Sequence, residues 1–408
     1  MSERRVPESI RALRSANFRL YFFGQAVSLL GSWIQQVALV WLVYRLTGSA
    51  ALLGVTTFAS LAPQLLLGPL AGAWIDKQDK RRCLIVVQSL LATQALTLAV
   101  LTALGWIGPT LIVAMSLLLG VLSSFDAPLR HSLINAFVES REDLPNALAL
   151  NSMLVNGGRF FGPPVAGLLL GLSSEAVCFG LNALSFMALI FAVLRADGRM
   201  PEPVRGPVGR VFKEGARYVW DTWYVRVLIG VVIGVNLTAS SYATLLPILA
   251  KDVFLGDAKT LGWLWGGAGG GAFLGTIVLT RVRSLARLSQ GVVAAVAISA
   301  VALVGIGASH LPALAFAGLV LLGFGITVCN AGINMLLQSS TPETMRGRVV
   351  SFFMATRFGF DAIGGLAAGL LAAWWGVQVA LWIEGVLLFV CLGFLFSHRG
   401  RLESDLRH

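Results

Sequence analysis

Four ionisable residues lie inside long apolar stretches of the sequence: Arg159, Arg357, Asp361 and Glu384. On insertion scales a charge at the centre of a bilayer costs about 2.5–3.5 kcal/mol, so a charged residue kept there usually has a function. Arg357 and Asp361 are four residues apart and can pair on one face of a helix. Because a buried carboxyl group beside an arginine can bind and release a proton, Asp361, Arg357 and Arg159 are candidates for proton coupling.

Each of these charges also has a second interpretation. Arg357 and Asp361 can form an ion pair with a purely structural role. Arg159 has no acidic residue on its own helix face, so it can hold an anionic ligand or pair with another helix. Glu384 lies in the last apolar stretch and is interpreted as an interfacial or structural charge.

Polar residues recur at helical spacing along several of the apolar stretches. A spacing of three or four places such residues on one face of a helix. There they can line a substrate cavity, or they can form hydrogen bonds between helices at about 0.6 kcal/mol per contact. The predicted cavity residues are Gln25, Ser28, Ser32, Gln35, Ser60, Gln64, Asn236, Ser240, Asn330 and Asn334.

The composition predicts an all-α polytopic membrane protein. Of the 408 residues, 56% are hydrophobic and only 12% are charged, whereas soluble domains carry about 25% charged residues. Apolar stretches of about 20 residues are long enough to cross a hydrocarbon core ~30 Å thick. Twelve spans are predicted, numbered 1 to 12 in chain order: 18–45, 50–75, 83–104, 109–135, 145–171, 176–195, 224–250, 260–280, 289–308, 311–337, 348–374 and 377–397.

The distribution of positive charge predicts the orientation of these spans. An even number of spans puts both termini on one side, and that side takes 26 of the 31 Lys and Arg residues. The opposite side takes three, and two lie within spans. Cytoplasmic loops carry the excess of Lys and Arg, so both termini are predicted to be cytoplasmic. Membrane topology, rather than binding to nucleic acid, accounts for the net charge of +11.

The spans fall into two groups of six that look like copies of each other. The segment between them, 196–223, begins rich in Pro and Gly and ends as a predicted amphipathic helix. The predicted organisation is an N-terminal six-helix bundle (1–195), this cytoplasmic linker, and a C-terminal six-helix bundle with a short tail (224–408). Span 5 reads RFFGPPVAGLLLG from Arg159, and span 11 reads RFGFDAIGGLAAG from Arg357. The match indicates two repeats of the same orientation.

A charged loop and three further stretches resemble one family of membrane proteins. The loop Gly72–Arg82, GAWIDKQDKRR, is similar to the signature loop between helices 2 and 3 of the major facilitator superfamily. Phe125–Gly167, Tyr242–Phe254 and Thr341–Ser351 resemble the branch that contains the enterobactin exporter and macrolide efflux proteins. The resemblance covers nearly the whole chain. It implies twelve transmembrane helices in two pseudo-symmetric six-helix bundles, with a substrate site between them near the midplane.

The resemblance also implies a cytoplasmic gate at the charged loop. In that family the position of Asp76 faces the N-terminal end of helix 11, where a carboxylate gains ~0.3–1 kcal/mol. Lys80 is placed to reach a second carboxylate, Asp126. The alternative is a solvated loop without a gating role, and the loop departs from the family pattern at Trp74 and Asp79, where Leu and Gly are usual. The predicted gate residues are Gly72, Asp76, Lys80, Arg81, Asp126 and Arg130.

Span 5 contains a pattern of small residues that resembles the helix 5 motif of antiporters. Small residues let helices approach closely, and proline favours a bend. Close packing alone is the alternative interpretation, whereas the resemblance favours export over import. The motif residues are Gly158, Gly162, Pro163 and Gly167, with Ala166 in place of one Gly.

Together these features predict a secondary active transporter of the bacterial inner membrane that works by alternating access. The expected activity is proton-coupled export of a small amphipathic molecule, siderophore-like or drug-like, with protons and membrane lipids as further partners. No enzyme activity, cofactor or metal site is predicted, because the four Cys and four His are scattered and no phosphate-binding loop occurs. The alternatives are uptake or facilitated flux of a metabolite, a lipid flippase, or a receptor that does not transport.

Overall fold

The computed structural model describes residues 8–75, 77–197, 217–282 and 284–405 of the chain. These residues form a short 3-10 helix, Glu8–Arg14, and twelve long helices, with no strand among them. In chain order the long helices are α1 (Ala16–Thr47), α2 (Ala50–Ile75), α3 (Lys80–Ala103), α4 (Pro109–Phe137), α5 (Leu144–Leu172), α6 (Glu175–Arg195), α7 (Trp223–Val253), α8 (Ala258–Thr280), α9 (Leu285–Ala308), α10 (Pro312–Ser340), α11 (Glu343–Trp375) and α12 (Val377–Asp405).

Ten helices in the described part of the chain are long and apolar enough to cross a membrane, which leaves out α5 and α8. These two have 29 and 23 residues, or about 43 and 34 Å, so they have the length of a span. Polar residues and glycine lower their hydropathy. Both pack against each other between the two groups of six helices.

Side chains and turn residues fix where several helices begin and end. The Ser15 hydroxyl accepts a hydrogen bond from the first turn of α1, and Gly48 ends that helix with a positive φ of 59°. The Asp79 carboxylate accepts from two backbone N–H groups at the start of α3. Asp257 and Thr260 form a reciprocal capping box at the start of α8. The connections between helices are therefore short and well defined at these points.

Helix α7 is broken near its middle. Thr238, at the break, has φ −114° and ψ −70°, and Pro247 has no N–H to continue the helical ladder. The break brings Ser240, Ser241 and Tyr242 to a cavity between the two groups of helices. The successive pieces are an α-helix Trp223–Leu237, a 3-10 turn Ala239–Ser241, an α-helix Tyr242–Ile248 and a π turn Leu249–Val253.

The two groups of helices meet closely at one side of the bundle, which we call the closed side. It is the side where α1 joins α2, α5 joins α6 and α7 joins α8. A Cβ atom on Gly54 of α2 would lie 3.0 Å from the carbonyl oxygen of Gly365 in α11, and one on Gly262 of α8 would lie 2.7 Å from the Cα of Gly167 in α5. Both contacts bring backbones together and leave no room for a side chain.

The other side of the bundle is the terminal side, so named because the described chain begins and ends there. A Cβ atom on Gly359 of α11 would still lie 2.7 Å from Leu65 Cδ2 of α2. A Cβ atom on Gly68 or Gly72 of α2, or on Gly347 of α11, would meet no heavy atom within 4 Å. Among the described residues, the close glycine contacts between α2 and α11 thus lie toward the closed side and do not continue to the ends of these helices at the terminal side.

The predicted spans agree with the helices in number and order, most ends agree within four residues, and two ends differ by more. Helix α11 begins at Glu343 rather than at 348, because its first turn follows Pro342, and α12 continues to Asp405 rather than ending at 397. Most of the predicted amphipathic helix within 196–223 lies outside the described residues. The division into domains at 1–195, 196–223 and 224–408 stays a prediction.

The contact between α5 and α8 yields the first testable prediction. We expect Gly262→Val to lower the unfolding midpoint of the purified protein, because the added side chain overlaps the α5 backbone, and overpacking typically costs about 1–3 kcal/mol. Gly180→Val in α6 is the matched control, since a Cβ there has nothing within 4 Å. Equal unfolding midpoints for the two variants would contradict the close contact.

Candidate functional site

A cavity of about 420 Å³ lies between the two groups of helices. Small-molecule sites in proteins typically have volumes of roughly 300–1,000 Å³. Residues of α1, α2 and α5 line it from the N-terminal half, and residues of α7, α8, α10 and α11 line it from the C-terminal half. The cavity is thus shared between the halves, and a molecule bound in it contacts both.

Four charged side chains near the middle of their helices line this cavity: Asp126 on α4, Arg159 on α5, and Arg357 and Asp361 on α11. Asp361 interacts electrostatically with both arginines. The direct pair suggested by the i,i+4 spacing is not formed in the described structure, where Arg357 Nε and Asp361 Oδ1 are buried without a hydrogen-bond partner. The guanidinium of Arg357 instead lies 5.4 Å from the ring centroid of Phe358. Arg357 Nε and Asp361 Oδ1 therefore have no protein partner among the described residues.

Half of the polar residues predicted for the cavity line it: Ser32, Gln35, Ser60, Gln64 and Ser240. Gln35 is also held by neighbouring helices, because its amide donates to Gln94 at 3.1 Å and its carbonyl oxygen accepts from Asn182 at 2.7 Å. This network fixes the position of a polar side chain at the cavity wall.

The other five predicted cavity residues lie outside the lining and bond to neighbouring side chains. Gln25 donates to Asn151 at 2.8 Å, and Asn236 of α7 donates to Asn330 of α10 at 3.0 Å. Asn334 accepts from Gln338, one turn further along α10. The remaining residue, Ser28, accepts from the Arg130 guanidinium at 2.8 Å. Except for the Asn334 contact, which lies within α10, these bonds tie helices together, which is the second interpretation that their spacing allowed.

Aromatic side chains complete the cavity wall, and the sequence analysis did not identify them. Trp33 of α1 and Trp265 of α8 face each other from opposite halves, with ring centroids 6.4 Å apart and an edge-to-face orientation. Tyr242 and Phe358 line the same space. The sequence did contain an indication of one of these aromatic residues. Trp33 and Gln36 are three residues apart, which places them on one face of α1, and both line the cavity.

Asp126, one of the predicted gate residues, forms an ion pair within the N-terminal half. Arg130 Nε lies 2.8 Å from its carboxylate, one turn further along α4. Gln88 of α3 also donates a hydrogen bond to this carboxylate, and the Tyr21 hydroxyl donates to the Arg130 carbonyl at 2.8 Å. Asp126 and Arg130 therefore belong to a cluster that joins α1, α3 and α4.

The charged loop at the terminal side is described except for Asp76, which lies outside the described residues. Gly72 lies in the last turn of α2, and Lys80 is the first residue of α3. The Arg81 guanidinium donates to the Leu194 carbonyl at the end of α6, at 2.9 Å. The latch between Asp76, Lys80 and Asp126 stays a prediction.

The antiporter-like motif of α5 packs against two different helices. A Cβ on Gly158 or Gly162 would meet Leu29 or Trp33 of α1. At Gly262 of α8, a Cβ would lie 2.7 Å from the Pro163 carbonyl oxygen and from the Gly167 Cα. The motif thus lets α5 join the two halves while Arg159, inside it, lines the cavity.

Polar contacts join the two halves at the closed side. The Tyr44 hydroxyl of α1 donates to the Asp252 carboxylate at the end of α7, and the Lys251 ammonium lies 5.4 Å from the centroid of the Tyr44 ring. Tyr44 is only 5% exposed. This cluster closes one end of the cavity together with the glycine contacts.

Glu384 is buried in α12 and is not itself a lining residue, although it contacts the lining residue Ser241. Its carboxylate accepts from the Ser241 hydroxyl at 2.6 Å, and Ser241 lies in the break of α7. The contact fastens the broken helix to α12, in line with the structural interpretation of this charge. Within the described residues no group of three or more His, Cys, Asp or Glu could hold a metal ion.

Sequence comparison relates the chain to transport proteins over almost its full length. Residues 8–405 match the family described as transmembrane secretion effector. The staphyloferrin A transporter of Staphylococcus aureus is 27% identical, over 92% of this chain and 94% of its own. The multidrug efflux pump Tap of Mycolicibacterium fortuitum is 26% identical (92% and 95%), and the enterobactin exporter EntS of Shigella boydii is 26% identical (87% and 85%).

Structural comparison relates the fold to solved transporters. A bacterial homologue of the human lysosomal transporter Spinster, in an inward-facing and unoccupied conformation, superposes with a TM-score of 0.73 over 96% of this chain and 98% of its own, at 12% identity. The nucleoside transporter NupG gives a TM-score of 0.71 over 94% and 98%, at 13% identity. The fold predicted from the sequence is confirmed by these matches.

The polar contact at the closed side yields the second prediction. We expect Tyr44→Phe to increase the population in which the closed side is open, because the hydroxyl bond between the halves is lost. Pulsed EPR distances between labels at positions 46 and 255, after replacement of the four free cysteines, would then shift to longer values. Asp252→Asn should give a similar shift, and the double variant should add little to it.

A matched control for this experiment is Tyr224→Phe. It removes a hydroxyl that donates to the Ser340 carbonyl at 2.8 Å within the C-terminal half, so the label distances should not change. Unchanged distances in Tyr44→Phe, or fully additive shifts in the double variant, would contradict a shared latch.

Proposed function

The chain belongs to the transmembrane secretion effector family of major facilitator transporters, and we propose that it exports a small amphipathic molecule in exchange for protons. Family and fold are those of membrane transporters rather than of enzymes. The observation that carries the proposal is the cavity between the halves, which combines aromatic walls with Arg159, Arg357 and Asp361. An amphipathic molecule needs both kinds of contact.

The proposed location is the bacterial inner membrane, with both termini in the cytoplasm. The concentration of Lys and Arg in the loops of the terminal side supports this orientation. In that orientation the closed side faces outward, and the ends of α2 and α11 that lack close glycine contacts face the cytoplasm. The described structure then corresponds to an inward-facing state of an alternating-access cycle, with the cavity accessible to a cytoplasmic cargo.

Alternating access requires contacts that are made in one state and broken in the other. Tyr44, Asp252 and the glycine contacts of α2 with α11 are made in this state. We infer that the gate at the charged loop is made in the opposite state, when the terminal side closes. The family resemblance of Gly72–Arg82 supports that role for Asp76, Lys80, Arg81 and their partners.

Export is the proposed direction, and its support comes from the relatives. One is named a multidrug efflux pump and another an enterobactin exporter, and the antiporter-like motif of α5 is consistent with both. The proposed cargo is accordingly siderophore-like or drug-like. An untargeted comparison of metabolites released by expressing and non-expressing cells would identify it, and equal release of every metabolite would contradict export.

Proton coupling through Asp361 is the third prediction. We expect Asp361→Asn to abolish cargo-dependent proton movement in everted vesicles with an imposed pH gradient, because the amide cannot carry a proton between the two sides. The cargo in this assay is the molecule identified by the metabolite comparison.

Glu384→Gln is the matched control for the proton assay. Glu384 is a buried carboxylate of the same half that lies outside the cavity lining, so its variant should keep proton movement even if its unfolding midpoint falls. Proton movement that survives Asp361→Asn would remove Asp361 from the coupling role.

The gate is the fourth prediction. We expect Asp76→Asn to slow export and to favour the inward-facing state, because the closed terminal side loses a charge at the N-terminal end of α11. Asp79→Asn is the control, because Asn also caps helices. In the described structure the Asp79 carboxylate accepts from two backbone N–H groups at the start of α3 and pairs with Arg82. Normal export and unchanged state populations in Asp76→Asn would contradict the gate.

A further inference from the structure

We propose that Arg159 and Arg357 form a two-sided anion site, and that the cargo is an organic anion with a carboxylate on an aromatic or apolar body. This inference rests on the proposed function, because it takes the cavity to be the place where the cargo binds. It adds the chemical class of the cargo, which the proposed function leaves open.

The two arginines occupy equivalent positions in the two halves of the chain. Arg159 begins the sequence RFFGPPVAG in α5, and Arg357 begins RFGFDAIGG in α11. Each helix is the fifth of its group of six. Both side chains line the one cavity, so the repeat brings two guanidinium groups to a single space from opposite halves.

The charged groups that line the cavity are two acids and two arginines. They are Asp126, Arg159, Arg357 and Asp361. Asp126 is already paired with Arg130 at 2.8 Å. Two guanidinium groups therefore face one carboxylate, that of Asp361, which interacts electrostatically with both. One positive charge in the cavity remains without a compensating acid among its lining residues.

A difference between the repeats explains this excess of positive charge. Four residues after Arg357 comes Asp361, whereas four residues after Arg159 comes Pro163. In addition, Arg357 Nε is buried without a hydrogen-bond partner. A buried donor without an acceptor is costly, and charges interact more strongly where the local dielectric is low. An anion entering the cavity relieves both costs.

A carboxylate group fits this site better than a spherical anion does. Guanidinium groups bind carboxylates through two parallel hydrogen bonds, which fixes orientation as well as charge. Beside the arginines, Trp33 and Trp265 offer ring faces and edges from opposite halves. Aromatic side chains bury large apolar area and favour ring contacts, so the body of the cargo lies against them while its carboxylate lies at the arginines.

A cargo that contacts both arginines also links the two halves. Arg159 belongs to the N-terminal half and Arg357 to the C-terminal half, so one anion between them favours the arrangements in which the halves are close. Asp361 competes with the cargo carboxylate for the same guanidinium groups. Binding of the cargo and the charge state of Asp361 are therefore linked through shared partners.

A matched pair of probes tests the site, with naphthalene-2-carboxylate against the uncharged naphthalene-2-carboxamide. Their ring is the same, and only the charge of the substituent differs. Purified full-length protein in lipid nanodiscs is titrated with each by calorimetry. We expect the carboxylate to bind about tenfold or more tightly than the carboxamide, and Arg159→Gln and Arg357→Gln each to remove most of that preference.

Two kinds of variant keep the test decisive. Arg281→Gln removes an exposed positive charge just after α8 and should leave the preference unchanged. Arg159→Lys and Arg357→Lys keep the positive charge but lose the planar guanidinium group. They should therefore retain part of the preference for the carboxylate. They replace the Gln variants if those fail to fold. Equal affinity of the wild type for both probes, no binding of the carboxylate up to its solubility, or a preference unchanged in both arginine variants would overturn the proposal.

Because binding is measured without a gradient, its result is separable from that of the transport assays. An arginine-dependent preference for the carboxylate in a protein that moves no protons would keep the anion site and remove proton coupling. A protein that exports its cargo with proton movement, yet binds both probes equally, would keep the proposed function and remove the anion site.

Discussion

The hydrocarbon core of a bilayer offers no water to a polar group, and the rest of this structure follows from how the chain meets that constraint. Backbone groups are satisfied inside twelve helices, and buried side chains such as Gln25, Asn236 and Asn330 are satisfied by one another. Among the buried polar atoms of the described residues that have no hydrogen-bond partner are Arg357 Nε and Asp361 Oδ1. Arg159, Arg357 and Asp361 line the cavity between the halves, where a ligand can supply what the protein itself does not.

Because the cavity lies between two halves, the contacts between these halves must be close at one end and able to separate at the other. Glycine supplies the tight end, because backbones of α5 and α8, and of α2 and α11, approach too closely for side chains. Polar contacts such as Tyr44 with Asp252 add specificity there. Contacts of this kind are individually weak. A structure built from them can exchange one set for another at modest cost, as a transporter must.

The fold and part of the site could be predicted from the sequence because membranes impose simple rules. Charges in apolar runs identified Arg159, Arg357 and Asp361, and all three line the cavity. Polar spacing was less informative. A helical period places Ser28 and Ser32 on one face of α1, but it does not say whether that face meets a cavity or another helix, and only Ser32 lines the cavity. Trp33 and Trp265 were missed because aromatic residues are common in spans, and only their packing across the halves sets them apart.

Helices α5 and α8 are the two long helices that fall short of the apolarity of a membrane span. During synthesis, segments enter the bilayer according to hydrophobicity, so these two partition into lipid less readily on their own than the others do. Each gains from the other, since the surfaces rich in small residues face across the halves. The packing of α5 is therefore completed by a helix made nearly a hundred residues later. Assembly of the N-terminal half is in this sense finished by the C-terminal half, and a truncated chain ending before α8 would leave the α8-facing glycines of α5 without their partner.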